Sequence, residues 1–218
     1  MSTRTIGRVV GALFLLAFVV YIAGGALVDS ATGAAEMKLS AGALLMLVNS
    51  VVVAAIGVLA LPILKPHSEI SAYAYLISRT VEAVMLTVGI LFLLLLIPLA
   101  KEYAGDASVL PAVARVAREG NAYSYHIAMI SLGVGGLLFC RVLFRARLVP
   151  RFMAVWGVAG YALFLTGTIL EFLGYGVGLV LSVPGGLFEV AVGVLLIVKG
   201  FPARQGRDIT RAEVAAAH

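Results

Sequence analysis

Long runs of apolar residues dominate this chain, and short polar clusters separate them. A helix that crosses the hydrocarbon core of a bilayer, about 30 Å thick, needs about 20 such residues. Six segments meet this requirement, with predicted boundaries at 6–28, 41–64, 72–99, 121–144, 152–173 and 178–199. We therefore predict an all-α integral membrane bundle of six transmembrane helices over residues 1–200, followed by a short basic tail at 201–218.

Composition supports the same class. Hydrophobic residues make up 62% of the chain and charged residues 12%, whereas a soluble domain has about 45–50% apolar and about 25% charged residues. A cytosolic enzyme, a nucleic-acid-binding domain and a disordered chain are excluded, and the expected partner is the lipid bilayer. With one cysteine and three scattered histidines, we expect no disulfide framework, metal site or cofactor.

The basic residues predict how the bundle is oriented. If the N-terminus is cytoplasmic, the segments on that side carry eleven Lys and Arg residues, and the opposite side carries four. Positive residues collect on the cytoplasmic side of membrane proteins. Both termini are therefore expected in the cytoplasm. Because the basic residues lie at helix ends, the net charge of +5 does not indicate a nucleic-acid partner.

One connection is long enough to carry structure of its own. The segment 101–120 has Asp106 and Ser108 as candidate N-caps, apolar residues at helical spacing and Gly120 as a stop signal. It predicts an interfacial helix on the outer leaflet. A lid over an outward-facing cavity is the alternative.

Several polar residues fall where lipid would otherwise surround the chain, and such residues indicate function by default. Arg79 and Glu82 lie three apart in the third span, hence on one helix face, with Tyr75 one turn earlier. Glu189 lies midway along the sixth span, and Asn49 lies in the second. These five residues are the candidate ligand-binding group.

Two interpretations of this group stay open. In the first, Arg79 holds an anionic group while Glu82 or Glu189 relays protons or holds a cation. In the second, the three charges form an ion-pair network that only clamps helices together. One arginine and two carboxylates leave one excess negative charge, so either a carboxylate is protonated or a cation joins the group.

Two further features have a functional and a structural interpretation. His126 and Glu171, near the outer ends of the fourth and fifth spans, form a candidate general acid–base pair, although His126 beside Tyr123 also fits an aromatic belt. The Pro184-Gly185-Gly186 sequence predicts either a broken helix that points its backbone dipoles at a ligand or a kink with close helix packing.

The chain resembles a bacterial family described as domain of unknown function 4386 over most of its length, from about Arg8 to Phe201. The segments that carry the resemblance are Pro-Ile-Leu-Lys-Pro-His-Ser at 62–68, Ser-Arg-Thr-Val-Glu-Ala at 78–83, Leu-Val-Pro-Arg at 148–151, Trp-Gly at 156–157, Phe-Glu at 188–189 and Lys-Gly-Phe at 199–201. Phe152-Met153 stands where the family pattern suggests a Trp-Leu pair.

This resemblance implies a multi-pass protein of the bacterial inner membrane, includes Arg79, Glu82 and Glu189 in the family pattern, and implies no activity.

Three functional hypotheses follow. The first is a protein without catalytic chemistry that binds or moves a small or lipidic ligand through a polar core. The second is an accessory or interaction subunit of a membrane complex, in which the charges only hold helices together. The third is an intramembrane enzyme that acts on lipid with His126 and a carboxylate. The sequence leaves the ligand and the oligomeric state open.

Overall fold

A computed structural model describes residues 1–31, 36–102 and 110–202, and these residues form helices and short turns without strands. This confirms the predicted all-α class. In chain order the helices are α1 (Thr3–Asp29), α2 (Glu36–Leu64), α3 (Glu69–Leu94), α4 (Leu96–Glu102), α5 (Leu110–Arg145), α6 (Arg151–Phe172) and α7 (Gly178–Lys199).

These seven helices form six segments that are long and apolar enough to cross a membrane, because α3 and α4 together make one segment. Their outer faces carry large exposed hydrophobic side chains, such as Val51, Ile77 and Leu91, which are 65%, 61% and 57% exposed. Apolar patches of that extent are not left in water. The chain is therefore a multi-pass membrane protein, as predicted.

Local signals set several helix ends. Ser2 and Ser68 cap α1 and α3, because each side-chain oxygen accepts a bond from the backbone N–H three residues on. Gly200 ends α7 in the left-handed region, with a φ of 67° that favours glycine. The sixth predicted span agrees with α7 at both ends.

The third predicted span is divided into two helices. It was expected to run unbroken over 72–99, but α3 ends at Leu94 and α4 begins at Leu96. Pro98 explains the break, because a proline has no N–H for the carbonyl four residues earlier and its ring clashes with that group. In this chain the group concerned is the carbonyl of Leu94.

The prediction of a separate helix over 101–120 is wrong in the part that the structure describes. Residues 103–109, with the candidate caps Asp106 and Ser108, lie outside the described residues. From Leu110 the chain forms α5, which continues through Gly120 to Arg145. Gly120 does not stop the helix; it makes room for the ring of Phe92, which would lie 2.7 Å from an added Cβ.

The long helices form a closed ring, in the order α1, α2, α3, α5, α6 and α7, with α7 packing back against α1. The beginning of α1 and the end of α7 meet, because Gly7 lies against the backbone of Phe201 and Gly200 lies against Arg4. The start of α1 and the end of α7 thus lie on the same side of the bundle. Phe201, placed in the tail by sequence, is buried within the bundle. Residues 203–218 lie outside the described range.

Candidate functional site

A buried ion pair forms the centre of the bundle. Arg79 and Glu82, one turn apart on α3, are joined by a bond of 2.9 Å from Nη1 to Oε2, and both side chains are 3% exposed. The Nε–H of Arg79 donates to the Tyr75 hydroxyl at 3.0 Å. Tyr75 in turn stacks on Phe139 of α5, with ring centroids 4.8 Å apart. The guanidinium is therefore held in one orientation by its own helix and by α5.

Glu189 brings a second carboxylate to this pair from α7. Its Oε1 atom lies 3.9 Å from Nη2 of Arg79 and accepts a hydrogen bond of 2.5 Å from the Tyr161 hydroxyl of α6. The side chain of Glu189 is 13% exposed, compared with 3% for Glu82. The structure thus brings Arg79, Glu82 and Glu189 together, and Glu189 is the more accessible of the two acids.

A cavity of about 200 Å³ lies against this charged group. All six long helices contribute to its wall. The polar lining residues are Asn49, Arg79, Glu82, Ser182 and Glu189. Rings line much of the rest, from Phe14, Phe18, Tyr21, Tyr125, Tyr161 and Phe164. The cavity is therefore amphipathic, with charges at one place and aromatic or aliphatic surface around them.

Two polar atoms at the cavity have no hydrogen-bond partner within the described part of the chain. They are Nη2 of Arg79 and Oδ1 of Asn49. The two residues are 2% and 5% exposed, respectively. Buried polar atoms are normally hydrogen-bonded, because an unsatisfied donor or acceptor costs free energy. A donor and an acceptor are thus available to a molecule in the cavity.

The cavity is not sealed, and the helix packing indicates where it opens. At Gly11, α1 lies so close to α7 that an added Cβ would come within 2.5 Å of the Gly193 carbonyl oxygen. Farther along, the close glycine contact of α1 is with α2, where Gly24 lies against Gly42. Between these two contacts, residues of both α1 and α7 line the cavity.

Between α1 and α7 lies a gap, and residues of both helices beside it line the cavity. A Cβ added at Gly186 of α7 would meet α1 only at Phe18, 4.0 Å away. Ile22, on α1, lines the cavity and is 65% exposed. We call the gap bounded by Phe18, Ile22, Ser182 and Gly186 the α1–α7 opening. It faces outward from the bundle, toward lipid.

His126 and Glu171, the polar residues near the outer ends of their helices, do not line the cavity. Glu171 accepts a hydrogen bond of 2.6 Å from the backbone N–H of Gly178, so it joins the end of α6 to the start of α7. His126 lies beside the ring of Tyr125, and its Nδ1 has no partner in the described range. No hydrogen bond or ion pair joins His126 to Glu171 in those residues, so the acid–base pair is not assembled.

The Pro184-Gly185-Gly186 sequence does not break its helix, since α7 is continuous from Gly178 to Lys199. Gly185 instead packs against Gly160 of α6, with the Gly160 carbonyl oxygen 3.2 Å from an added Cβ. The Pro184 carbonyl accepts a further bond of 3.2 Å from the Trp156 indole N–H. Close packing is the interpretation that the structure supports.

The aromatic residues of the site were not predicted from the sequence. Tyr161 contacts Glu189 directly, and Tyr125 and Phe14 line the cavity. Tyr161 carried one signal, since a hydroxyl in the middle of an apolar span needs a partner. The phenylalanines carried none, because a ring in an apolar helix looks the same whether it faces lipid or the cavity.

Taken together, the fold and the site define a multi-pass helical membrane protein with an amphipathic cavity and an intramembrane charge group. A model of the family described as Domain of unknown function (DUF4386) matches residues 9–200. The chain belongs to this family, as its sequence suggested. Comparisons with curated proteins and with solved structures gave no match.

Proposed function

We propose that this protein binds a small amphipathic or lipidic molecule in its central cavity, without catalysing a reaction on it. The polar end of the ligand lies against Arg79, Glu189 and Asn49, and its apolar part lies against the aromatic wall. The observation that carries the proposal is the pair of unpartnered atoms, Arg79 Nη2 and Asn49 Oδ1, at this amphipathic cavity.

A charge group that served only to hold helices together would be expected to satisfy its own donors. Here the pair of Arg79 and Glu82 is complete, whereas the second terminal nitrogen of Arg79 points to an acid 3.9 Å away, too far for a hydrogen bond. A ligand group between Nη2 and Glu189 would supply the missing bonds. The opening between α1 and α7 gives such a ligand a path from the bilayer.

We place the protein in the bacterial inner membrane as part of this proposal. The family resemblance and the excess of basic residues on one side favour the bacterial inner membrane, with both termini in the cytoplasm. In that orientation the α1–α7 opening lies beyond the tightly packed cytoplasmic end of α1, which contains Gly7 and Gly11. Molecules of the bilayer would then reach the site from its outer half.

The test is a thermal-stability screen of the purified protein against lipids, organic and inorganic cations, and neutral amphipathic molecules. A ligand that binds only the folded state raises the melting temperature in proportion to its occupancy. We expect a compound that stabilises the wild type and does not stabilise Glu189→Gln. Glu69→Gln, at an exposed acid away from the cavity, is the matched control and should respond as wild type.

The competing function is that of an accessory subunit whose charges are only structural. Removing one acid from an unbalanced buried group relieves a desolvation cost and can leave stability equal or higher. If no compound shifts the wild type, and Glu189→Gln melts at the same or a higher temperature, the structural role replaces ligand binding. An enzymatic role would instead require a nucleophile or metal beside His126, and the described residues hold no cluster of three or more metal-ligating side chains.

A further inference from the structure

We infer that the ligand of this cavity is a hydrophobic organic cation, such as an amine or a quaternary ammonium compound with an apolar chain. This inference rests on the proposed function and specifies the chemical class that the site selects. It is carried by three observations: the charge of the buried group, the aromatic rings that surround it, and the opening toward lipid.

The charge of the group favours a cation. Arg79 and Glu82 form a closed pair with a bond of 2.9 Å, so an ionised Glu189 is the excess negative charge, and the inference takes a bound cation rather than a proton as what balances it. Glu189 is held by the neutral hydroxyl of Tyr161 and lies 3.9 Å from the nearest guanidinium nitrogen. It is also the charged side chain of the group with the largest exposed fraction. A cationic head group beside Glu189 would neutralise the group.

The aromatic lining favours an organic cation over a metal ion. The faces of phenylalanine and tyrosine rings attract cations, and this attraction strengthens where water is excluded. Six rings line the cavity, from Phe14, Phe18, Tyr21, Tyr125, Tyr161 and Phe164. The guanidinium of Arg79 already lies over two rings, 5.4 Å from the centroid of Phe14 and 5.3 Å from that of Tyr75. Of these two rings, Phe14 lines the cavity, and the faces of the other lining rings would hold alkylammonium groups in the same way.

The size and opening of the cavity favour a cation with an apolar chain. At about 200 Å³, the cavity is smaller than the roughly 300–1,000 Å³ typical of ligand pockets. A head group would fill much of it, and the remainder of the molecule would extend through the α1–α7 opening. Ile22 and Gly186 at this opening present apolar surface to such a chain.

Anions and neutral molecules fit less well. An anion could accept a bond from Arg79 Nη2, but it would add a third negative charge beside Glu82 and Glu189 in a medium of low dielectric constant. A neutral molecule would satisfy Nη2 and Asn49 and leave the excess charge unbalanced. Discrimination among the three classes should therefore depend on Glu189 in particular.

The experiment compares hexyltrimethylammonium, 1-hexanol and hexyl sulfate, which share one chain and differ in head-group charge. The single tryptophan, Trp156, donates to the Pro184 carbonyl at 3.2 Å, beside Gly185 and Gly186 of the cavity wall. Its fluorescence in lipid nanodiscs is thus a readout of binding. We expect saturable binding of the ammonium compound, with an affinity roughly tenfold or more above that of the alcohol, as for a partly desolvated charge pair.

The variants make the result specific. Glu189→Gln should reduce binding of the ammonium compound to the level of the alcohol, whereas Glu69→Gln should leave it unchanged. If Glu189→Gln does not fold, the wild-type series decides alone. Equal or tighter binding of the alcohol or the sulfate would overturn the cation inference and leave the proposed function standing. If none of the three binds, the inference is wrong, and the thermal-stability screen decides separately whether the protein has another ligand.

Discussion

Nη2 of Arg79 and Oε1 of Glu189 are 3.9 Å apart, which is close enough for attraction between charges and too far for a hydrogen bond. The other two contacts of the guanidinium, to Glu82 and Tyr75, are complete hydrogen bonds. The incomplete contact is the one made across the bundle, between α3 and α7, and it borders the cavity. This incomplete contact between Arg79 and Glu189 is the structural basis of the proposed binding site.

Removal of the arginine should severely destabilise the bundle. Arg79→Ala leaves the carboxylate of Glu82 buried without its partner, and loss of one member of a buried pair costs roughly 3–5 kcal/mol. The measurement is thermal or denaturant unfolding in detergent. Arg118→Ala, at an exposed position on α5, is the control and should change stability little. Wild-type stability of Arg79→Ala would contradict the buried pair.

The hydroxyl of Tyr161 should be needed to hold Glu189. Tyr161→Phe keeps the ring and removes the bond to the carboxylate, and hydrogen bonds to charged groups contribute about 1.5–3 kcal/mol. We expect a lower melting temperature and weaker binding of hexyltrimethylammonium. The matched change Tyr123→Phe, at a ring that is 53% exposed, should affect neither. If both variants behave alike, Tyr161 does not position Glu189.

Close packing of α1 on α7 should tolerate no side chain at Gly11. An added Cβ would lie 2.5 Å from the carbonyl oxygen of Gly193, so α1 would have to move. Gly11→Ala is therefore expected to destabilise the protein by about 1–3 kcal/mol, the usual cost of overpacking. At Gly25 no atom lies within 4 Å of an added Cβ, and Gly25→Ala should be neutral or stabilising through its higher helix propensity. Equal effects of the two changes on stability would contradict the close contact between α1 and α7 at Gly11.

Cysteine labelling in whole cells should place α4 outside and the start of α3 inside. Glu102→Cys and Glu69→Cys are both at exposed positions, and the native Cys140 is buried, which keeps the background low. An impermeant maleimide should label the cysteine at position 102 and leave the one at position 69 unlabelled until the cells are opened. The reverse pattern would invert the proposed orientation.

The sequence was sufficient to predict six membrane spans, since span length depends mainly on apolar composition, but it did not predict the break between α3 and α4 or the start of α5 at Leu110. It also placed Arg79 and Glu82 on one face, because that relation lies within a single helix. The contact of Arg79 with Glu189 could be anticipated only from the cost of an unpaired charge in lipid. Its distance depends on how α3 and α7 are placed, which no local pattern fixes.

One error in the sequence analysis and one alternative that it left open have a common cause. Gly120 was interpreted as a helix stop and Pro184-Gly185-Gly186 as a potential break, yet α5 and α7 are continuous at both places. In water these residues end helices, whereas in a membrane bundle they are tolerated and allow neighbouring helices to approach closely. The partners concerned, Phe92 and Gly160, are distant in sequence, so the pattern could not distinguish packing from termination.

The most direct test of ligand binding in the cavity is native mass spectrometry of the protein extracted from its own membrane. Gly186→Leu would place a side chain in the cavity, where an added Cβ meets only Phe18 at 4.0 Å; Gly25→Leu, away from the cavity, is the matched control. We predict a bound small molecule on the wild type and on Gly25→Leu, and its absence from folded Gly186→Leu. Wild type without any bound molecule, or the same molecule retained by Gly186→Leu, would contradict binding in this cavity.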